Sequence, residues 1–272
     1  MPCNILSLID SPHTFSTAAM KDTILAARQQ GRHAIIPFIT AGFPSMERFW
    51  DALAEVDAAG ADIIEIGIPF SDPVADGPVI EDISRRALAD GVTLAWVVEG
   101  LRARKGSYRA KLVFMGYANP FIQYGLEKLA ADCAEVGVSG FIVPDLPLEE
   151  TPEFRAALAP HGLSLITLVG PNTSLERMKM YAPYAQDYVY VVSVLGTTGG
   201  VNEHVEAVAD TMRRARAVFD VPLALGFGLR VPEQLDALPD DARPDAAVIG
   251  TALLQHIRQG KPVADFLRPW RE

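Results

Sequence analysis

Short apolar runs alternate with longer amphipathic segments eight times along this sequence of 272 residues. The runs are apolar along their whole length, which is typical of parallel strands covered by helices on both faces. The predicted strands are Ala34–Thr40, Asp62–Gly67, Leu112–Tyr117, Gly140–Val143, Leu163–Leu168, Tyr188–Val192, Pro222–Leu225 and Ala246–Ile249. The clearest helical spacing lies at Met46–Ala59, Leu126–Val136, Pro152–Ala159 and Glu203–Phe219. This order favours an α/β fold, a (β/α)8 TIM barrel, over an open doubly wound sheet.

The length and composition agree with one barrel domain. Such barrels use about 250 residues, hydrophobic residues make up 49% of the chain, and no Ser/Gly-rich linker divides it. We expect residues 1–30 to form an N-terminal leader with at most a short helix. Residues 31–260 are predicted to form the barrel, and residues 261–272 a C-terminal tail.

Several predicted helix ends carry recognisable capping residues. Ser45 precedes a helix as an N-cap, and Thr151, followed by proline, is expected to cap another. Gly137 and Gly162 stand where helices are expected to stop, because glycine adopts the left-handed conformation readily. The stretch Val79–Arg104 is predicted to hold two helices separated by an Asp-Gly pair.

Charge and motif content exclude several classes of function. The net charge is −10 and no basic run is dense enough for a phosphate backbone, so nucleic acid is not expected as a partner. None of the lysines ends a predicted strand, and the histidines and two cysteines show no metal-ligand spacing. No apolar run reaches the roughly 18 residues of a membrane span. The N-terminus lacks a secretory pattern, so the expected location is the cytoplasm.

Glu65 lies near the C-terminal end of the second predicted strand, inside the segment DIIEIG. An ionised carboxylate loses hydration there, so we expect burial to raise its pKa. A glutamate whose pKa approaches neutrality can donate and accept a proton during a reaction. The alternative is that Glu65 points outward and pairs with a helix cation, although its apolar neighbours disfavour a solvated position.

Two aspartates follow in the loop IPFSDPVADGP, whose three prolines limit its freedom. Such a loop can hold a carboxylate in place over the mouth of a barrel. Turn formation explains Asp72 best, because Ser-Asp-Pro is an ordinary turn sequence. For Asp76, a turn residue and a catalytic carboxylate are equally good interpretations of the residues alone.

Small residues cluster after the last three predicted strands, at Ser193–Gly200, Gly226–Gly228 and Gly250–Thr251. The loops after strands seven and eight form the usual phosphate site of such barrels, where backbone N–H groups bind the anion. Any one glycine pair is explained by a tight turn. The three clusters together predict a phosphorylated ligand.

Five longer segments occur in order between Ile36 and Ile257: PFITAGFP, EIGIPFSDPVADGP, MGYANPFIQYG, FIVPDLPLEE and LGFGL. In sequence and spacing they resemble the motifs of the tryptophan synthase alpha subunit family. The resemblance implies a carbon–carbon lyase of L-tryptophan biosynthesis that needs no cofactor of its own. Its reaction would be the retro-aldol cleavage of indole-3-glycerol phosphate into indole and glyceraldehyde 3-phosphate.

The resemblance also implies roles for individual residues. Glu65 would shuttle the proton, and Asp76 would hold and polarise the indole N–H. The implied substrate contacts are Phe38, Met115, Tyr190, Thr198 and Phe227. The implied phosphate contacts, made by backbone N–H groups, are Gly199, Gly228, Gly250 and Thr251. Thr198 would belong to a mobile lid, and a simple core aromatic is the alternative for Tyr190.

A protein partner follows from the same resemblance. Family members pass indole directly to a beta subunit that carries pyridoxal phosphate, in an α2β2 complex. The residues that would lie near this partner are Asp72, Asn119, Pro120 and Asp145.

The sequence departs from the family pattern at a few positions. The loop after the sixth strand, from Ser193 to Gly199, lacks the arginine that is usual there. Thr251, Glu81 and Phe43 stand where Ser, Gln and Asp are usual. Because Glu65, Asp76 and the glycines are intact, these changes bear on lid closure and partner coupling more than on the chemistry.

Three alternative functions stay open at this point. The chain could be a stand-alone lyase that releases free indole, which the altered lid sequence motivates. It could be a flavin-dependent barrel that uses the same phosphate site, or a barrel that serves only to bind and activate a partner of the beta type.

Overall fold

The computed structural model describes residues 19–193, 201–226 and 228–271, with the side chains of residues 19 and 201–204 left out. Within these residues, nine parallel strand segments form a single sheet. They are β1 (Ala34–Thr40), β2 (Ile63–Gly67), β3 (Lys111–Met115), β4 (Val138–Ile142), β5 (Ser164–Leu165), β6 (Thr167–Val169), β7 (Val189–Val192), β8 (Leu223–Gly226) and β9 (Ala246–Ile249).

The helices of the described residues lie between and after these strands. They are α1 (Ala19–Gln29), α2 (Met46–Ala58), α3 (Pro78–Ala89), α4 (Leu94–Arg102), α5 (Ala118–Tyr124), α6 (Leu126–Val136), α7 (Thr151–Leu158), α8 (Leu175–Tyr181), α9 (Val201–Arg216), α10 (Glu233–Asp236), α11 (Thr251–Arg258) and α12 (Val263–Leu267). None of the helices in the described part of the chain is long and apolar enough to cross a membrane.

The sheet closes into the predicted barrel through its fifth predicted strand. The structure divides that strand into β5, which pairs with β4, and β6, which pairs with β7. Ile166 between them still donates its N–H to the Phe141 carbonyl at 2.9 Å. The strand order β5-β4-β3-β2-β1-β9-β8-β7-β6 therefore runs once around the barrel, and the predicted TIM-barrel fold is confirmed.

Most predicted helix ends agree with the structure. Ser45 caps α2 by accepting the Arg48 N–H at 3.3 Å, and Gly137 and Gly162 end their helices with φ of 87° and 66°. The prediction for Thr151 was wrong. It is the first residue of α7, and its hydroxyl donates to the Leu148 carbonyl at 2.8 Å, because a short 3-10 turn precedes the helix.

Buried or half-buried aspartates hold the N-terminal ends of several strands. Asp62, before β2, pairs with Arg32 at 2.7 Å. Asp187, before β7, accepts the Lys21 N–H at 2.9 Å and thereby attaches α1 to the barrel. Asp245, before β9, is 2% exposed. In barrels of this class, polar residues at this end serve stability, and catalysis occupies the opposite end.

Replacing Asp245 by alanine is expected to lower the free energy of unfolding by about 3 kcal/mol, because it leaves buried donors unpaired. Its carboxylate accepts from Arg28 at 2.7 Å, Arg216 at 2.6 Å and the Leu223 N–H at 2.7 Å. Chemical denaturation measures the change. Asp240→Ala is the control, since that side chain is 93% exposed, and equal losses in both variants would contradict this role for Asp245.

Candidate active site

Glu65 projects from β2 into the interior of the barrel. It is 0% exposed, and neither of its carboxyl oxygens has a hydrogen-bond partner among the described residues. Burial without a counter-charge raises the pKa of this carboxyl well above its ordinary value of 4.5. The alternative of an outward glutamate paired with a helix cation is excluded, and burial favours the protonated form of this carboxyl.

Two tyrosines on the far side of the barrel, Tyr188 just before β7 and Tyr190 within it, face this carboxyl. Tyr188 is fully buried, and its hydroxyl has no hydrogen-bond partner among the described residues. Burial raises the pKa values of Tyr188 and Tyr190, and the charge of Glu65 raises both further. The pKa of Tyr190 also responds to the charge of Asp76. Tyr190 therefore lies near enough to interact electrostatically with both carboxyl groups that the sequence singled out.

Asp76 is held by its neighbours in the loop after β2. The Tyr117 hydroxyl accepts the Ala75 N–H at 3.0 Å and donates a hydrogen bond to the Asp76 carboxylate. Partial burial raises the pKa of Asp76, the hydrogen bond from Tyr117 lowers it, and the charge of Glu81 raises it again. A turn role alone does not explain this set of contacts.

Phe38 and Met115 form an apolar wall beside Glu65. Phe38 is paired in register with Glu65, and its ring lies so close to Gly67 that a Cβ there would meet the ring at 2.3 Å. Met115, in register with Gly67 on the next strand, is also buried. Phe227, the third predicted wall residue, lies outside the described residues.

Gly226 makes room for Tyr190 on the opposite wall. A Cβ on this glycine would lie 2.2 Å from the Tyr190 hydroxyl oxygen. The adjacent Ser193 donates its hydroxyl to the Gly226 carbonyl at 2.9 Å. Glycine is therefore required at position 226 because the Tyr190 side chain approaches so closely. The hydrogen bond from Ser193 joins the C-terminal end of β7 to that of β8.

The predicted phosphate residues lie partly within the described chain. β8 and β9 pair in parallel, so their following loops, with Gly228 and Gly250, leave the same end of the barrel. Gly250 precedes α11, and Thr251 is its exposed first residue. The first N–H groups of a helix lack intrahelical partners and attract anions. Gly199, like Thr198 of the predicted lid, lies outside the described residues.

The predicted partner-facing residues share an exposed rim at the same end of the barrel. Asp72, Asn119 and Asp145 are exposed, and Pro120 is half-buried. Asp145 accepts the Ala118 N–H at 3.0 Å, so the loops after β3 and β4 are connected. Two apolar side chains lie beside them: Val74 is 83% exposed and Ile122 is 57% exposed. This rim is a candidate surface for another protein.

Three polar residues of this site were not predicted from the sequence. Tyr117 follows β3, and the expectation that polar groups at strand ends are functional would have found it. Thr40 ends β1, where its hydroxyl is buried without a hydrogen-bond partner among the described residues. Tyr188 was assigned only to a strand, because a tyrosine in an apolar run gives no signal of what it faces.

The arrangement separates two carboxyl groups by environment. Burial raises the pKa of both carboxyls, but Glu65 has no described hydrogen-bond partner, whereas the hydrogen bond from Tyr117 opposes the rise at Asp76 and favours its ionised form. Two such groups beside an apolar wall can act as an acid and as a charged hydrogen-bond acceptor on one substrate. Among the described residues, no cluster of three His, Cys, Asp or Glu side chains is placed to hold a metal ion.

Comparison with known proteins adds independent findings. The model of the family described as tryptophan synthase alpha chain matches residues 24–265. The tryptophan synthase alpha chain of Desulfovibrio desulfuricans is 60% identical over 252 residues, 93% of this chain and 99% of the relative. That of Nitratidesulfovibrio vulgaris is 55% identical over 257 residues, 94% and 99% of the two chains. A structure of Mycobacterium tuberculosis tryptophan synthase superposes with a TM-score of 0.84 at 30% identity, covering 93% and 96%.

Proposed function

This chain belongs to the tryptophan synthase alpha chain family, and from that membership we propose which of its residues carry the family reaction. The chain is a lyase of tryptophan biosynthesis that cleaves indole-3-glycerol phosphate in an aldol-type reaction. The observation that supports our assignment is the buried carboxyl of Glu65, which no described residue pairs and which faces the phenols of Tyr188 and Tyr190.

The chemistry requires three events on the substrate. A proton is added to C3 of the indole, and the positively charged ring can then withdraw the electron pair of the bond between C3 and C3′ of the glycerol chain. The hydroxyl on C3′ loses its proton as that bond breaks, and its oxygen becomes the aldehyde of glyceraldehyde 3-phosphate. The electron pair of the broken bond returns to the ring and restores indole. Positive charge at the ring nitrogen must be stabilised meanwhile.

Glu65 is the proposed proton carrier. Its neutral form can deliver a proton to indole C3, and the carboxylate that results can then accept the proton of the C3′ hydroxyl. The enzyme thus returns to its starting state without a cofactor. A raised pKa suits both halves of this cycle, because the group must exchange its proton readily near neutral pH.

Asp76 is the proposed acceptor of the indole N–H. A carboxylate hydrogen-bonded to the ring nitrogen stabilises the positive charge that appears when C3 is protonated. Tyr117 fits this role as a positioning residue, since it connects the Asp76 carboxylate to the backbone of the same loop.

The remaining contacts bind and orient the substrate. We assign the indole contacts to Phe38, Met115, Tyr190 and Phe227, and the phosphate contacts to backbone N–H groups at Gly199, Gly228, Gly250 and Thr251. Thr198 is assigned to a lid that closes over the substrate and excludes water. The apolar wall and the start of α11 support the part of this assignment that falls on described residues.

The pH dependence of kcat/KM should respond in opposite directions to two neighbours of Asp76. Activity needs the ionised carboxylate, so it falls as pH drops through the pKa of Asp76. Tyr117→Phe removes a hydrogen bond that lowers this pKa and moves the acidic limb to higher pH. Glu81→Gln removes a like charge and moves it to lower pH. Shifts of the same sign in a pH–rate series would contradict this electrostatic account.

The proposed partner is a tryptophan synthase beta subunit that holds pyridoxal phosphate and receives indole, in an α2β2 complex located in the cytoplasm. The exposed rim at the catalytic end of the barrel supports this proposal, because it combines apolar side chains with Asp72, Asn119, Pro120 and Asp145. Solvent-exposed apolar residues grouped at one end of a barrel are typical of an interaction surface.

Indole release from indole-3-glycerol phosphate tests both the activity and the partner. The wild-type chain should be slow alone and strongly stimulated by a beta subunit, whereas a stand-alone lyase would be fast without it.

Ile122→Asp should reduce the stimulation at least about tenfold while leaving the slow basal rate unchanged, because it places a charge in an apolar contact. Met180→Asp is the control, since Met180 is similarly exposed, at 51%, on α8. Full stimulation of Ile122→Asp by the beta subunit would show that the rim is not part of the interface.

A further inference from the structure

A separate cavity of about 420 Å³ lies between α7, the end of α8, and strands β5 and β6. The loop that follows β4, residues 143–148, covers one side of it. None of its lining residues belongs to the substrate site described above. The cavity holds one cation in its wall, the guanidinium of Arg155 on α7.

Arg155 has no counter-charge among the described residues. One amino group donates to the Gln186 side-chain oxygen at 3.2 Å, and the guanidinium carbon lies 5.5 Å from the centre of the Tyr184 ring. The Nε–H is buried, and no described residue accepts a hydrogen bond from it. Burial lowers the pKa of Arg155 to about 10, because the charged form loses hydration and no ion pair compensates for that loss.

Nearby acidic groups are engaged elsewhere. Asp145, in the cavity wall, accepts the Ala118 N–H at 3.0 Å. Glu149 pairs with Arg177 on α8, and Asp187 accepts from Ser164 at 2.5 Å and from the Lys21 backbone. Arg177 shows the usual arrangement, a guanidinium with its own carboxylate. The cavity wall holds the Arg155 cation and the Asp145 carboxylate, but no described carboxylate pairs with Arg155. A half-buried guanidinium without such a partner is costly.

The rest of the wall is mainly apolar. Its aliphatic and proline members are Val143, Pro144, Leu146, Pro147, Leu148, Leu165, Ile166 and Leu168. A cavity of this size fits a molecule of about ten non-hydrogen atoms with an apolar body. Inorganic phosphate would satisfy the cation but would gain nothing from these walls.

We propose that this cavity binds a small organic monocarboxylate, whose carboxylate pairs with Arg155 and whose apolar body lies against the walls formed by β5, β6 and the loop after β4. The pairing supplies the missing counter-charge, and a carboxylate matches the two parallel donors of a guanidinium. The cavity shares Asp145 with the partner-facing rim, so a bound acid would lie directly behind that rim.

Titration of the full chain with benzoate, followed by amide NMR, tests the proposal. We expect a Kd of about 1 mM, as is ordinary for a ligand of this size, with shifts confined to α7, the end of α8, β5, β6 and the loop after β4. Arg155→Met should weaken benzoate binding at least about tenfold, because a charge-assisted pair is lost. Arg155→Lys keeps the charge and should bind with intermediate affinity, which covers the case that the methionine variant fails to fold.

Two controls separate charge from shape. Benzamide, a neutral molecule of the same form, should bind weakly and equally to wild type and to Arg155→Met. Arg177→Met removes an arginine that already has a partner and should leave benzoate binding unchanged. Three results would each overturn the proposal. Benzoate could fail to bind, it could bind Arg155→Met and Arg155→Lys as tightly as wild type, or it could shift resonances of the substrate site instead.

Discussion

Glu65→Gln is expected to lower kcat for indole release at least about 100-fold, the lower range for loss of an acid–base group. Glutamine keeps the shape of the side chain and cannot deliver or accept the proton. Because the carboxyl has no hydrogen-bond partner among the described residues, the substitution breaks no described contact. The loss should therefore appear in kcat with little change in KM, measured with and without the beta subunit.

The same variant should be more stable than wild type at neutral pH. The unfolded carboxyl releases its proton above about 4.5, whereas the buried one keeps it to a higher pH. The unfolded state then binds fewer protons, so the free energy of unfolding of the wild type falls as pH rises through this window. Glutamine lacks this dependence. The Tm advantage of the variant should grow as pH rises above about 4.5.

These two results together separate catalysis from folding. A variant that is inactive and less stable would mean that Glu65 holds the barrel together. Full activity in Glu65→Gln would remove this residue from the reaction, whatever its effect on Tm.

Asp76→Asn is expected to lower kcat/KM about 100-fold, the order seen when one charged or dipolar stabiliser of a transition state is removed. Asparagine retains an oxygen that can accept the indole N–H, but it lacks the negative charge that offsets the protonated ring. The Tyr117 hydroxyl can still donate to it, so the loop should keep its position. Steady-state kinetics of indole release measure the change.

Asp72→Asn is the matched control, because Asp72 lies four residues earlier in the same loop and is exposed. It should leave the basal rate of the isolated chain unchanged. Equal losses in the two variants would indicate that the loop as a whole, and not the Asp76 carboxylate, is needed.

Local sequence signals were sufficient for most of the barrel. The strands Ala34–Thr40 and Ala246–Ile249 have the bounds that were predicted, because a buried parallel strand is apolar throughout and ends where the apolar run ends. Helix ends with their own chemistry, such as Ser45 and Gly137, were also found. The burial of Glu65 followed from its position in such a run.

Features that depend on contacts between residues far apart in the sequence could not be predicted from local sequence signals. The interruption at Ile166 arises where one strand pairs with β4 at its start and β7 at its end, and no residue type marks it. The contact of Tyr117 with the loop of Asp76 joins residues about 40 positions apart. The missing counter-charge of Arg155 appears only when all its neighbours are known.

The proposed proton shuttle requires Glu65 to be a neutral carboxyl at the centre of the barrel. Titration of its side-chain carbon by ¹³C NMR, with the resonance assigned by its loss in Glu65→Gln, measures this directly. We predict a midpoint well above 4.5, because the folded barrel withholds water and counter-charge from the group. A midpoint at or below 4.5 would show a solvated or paired carboxylate and would contradict the proton-shuttling role.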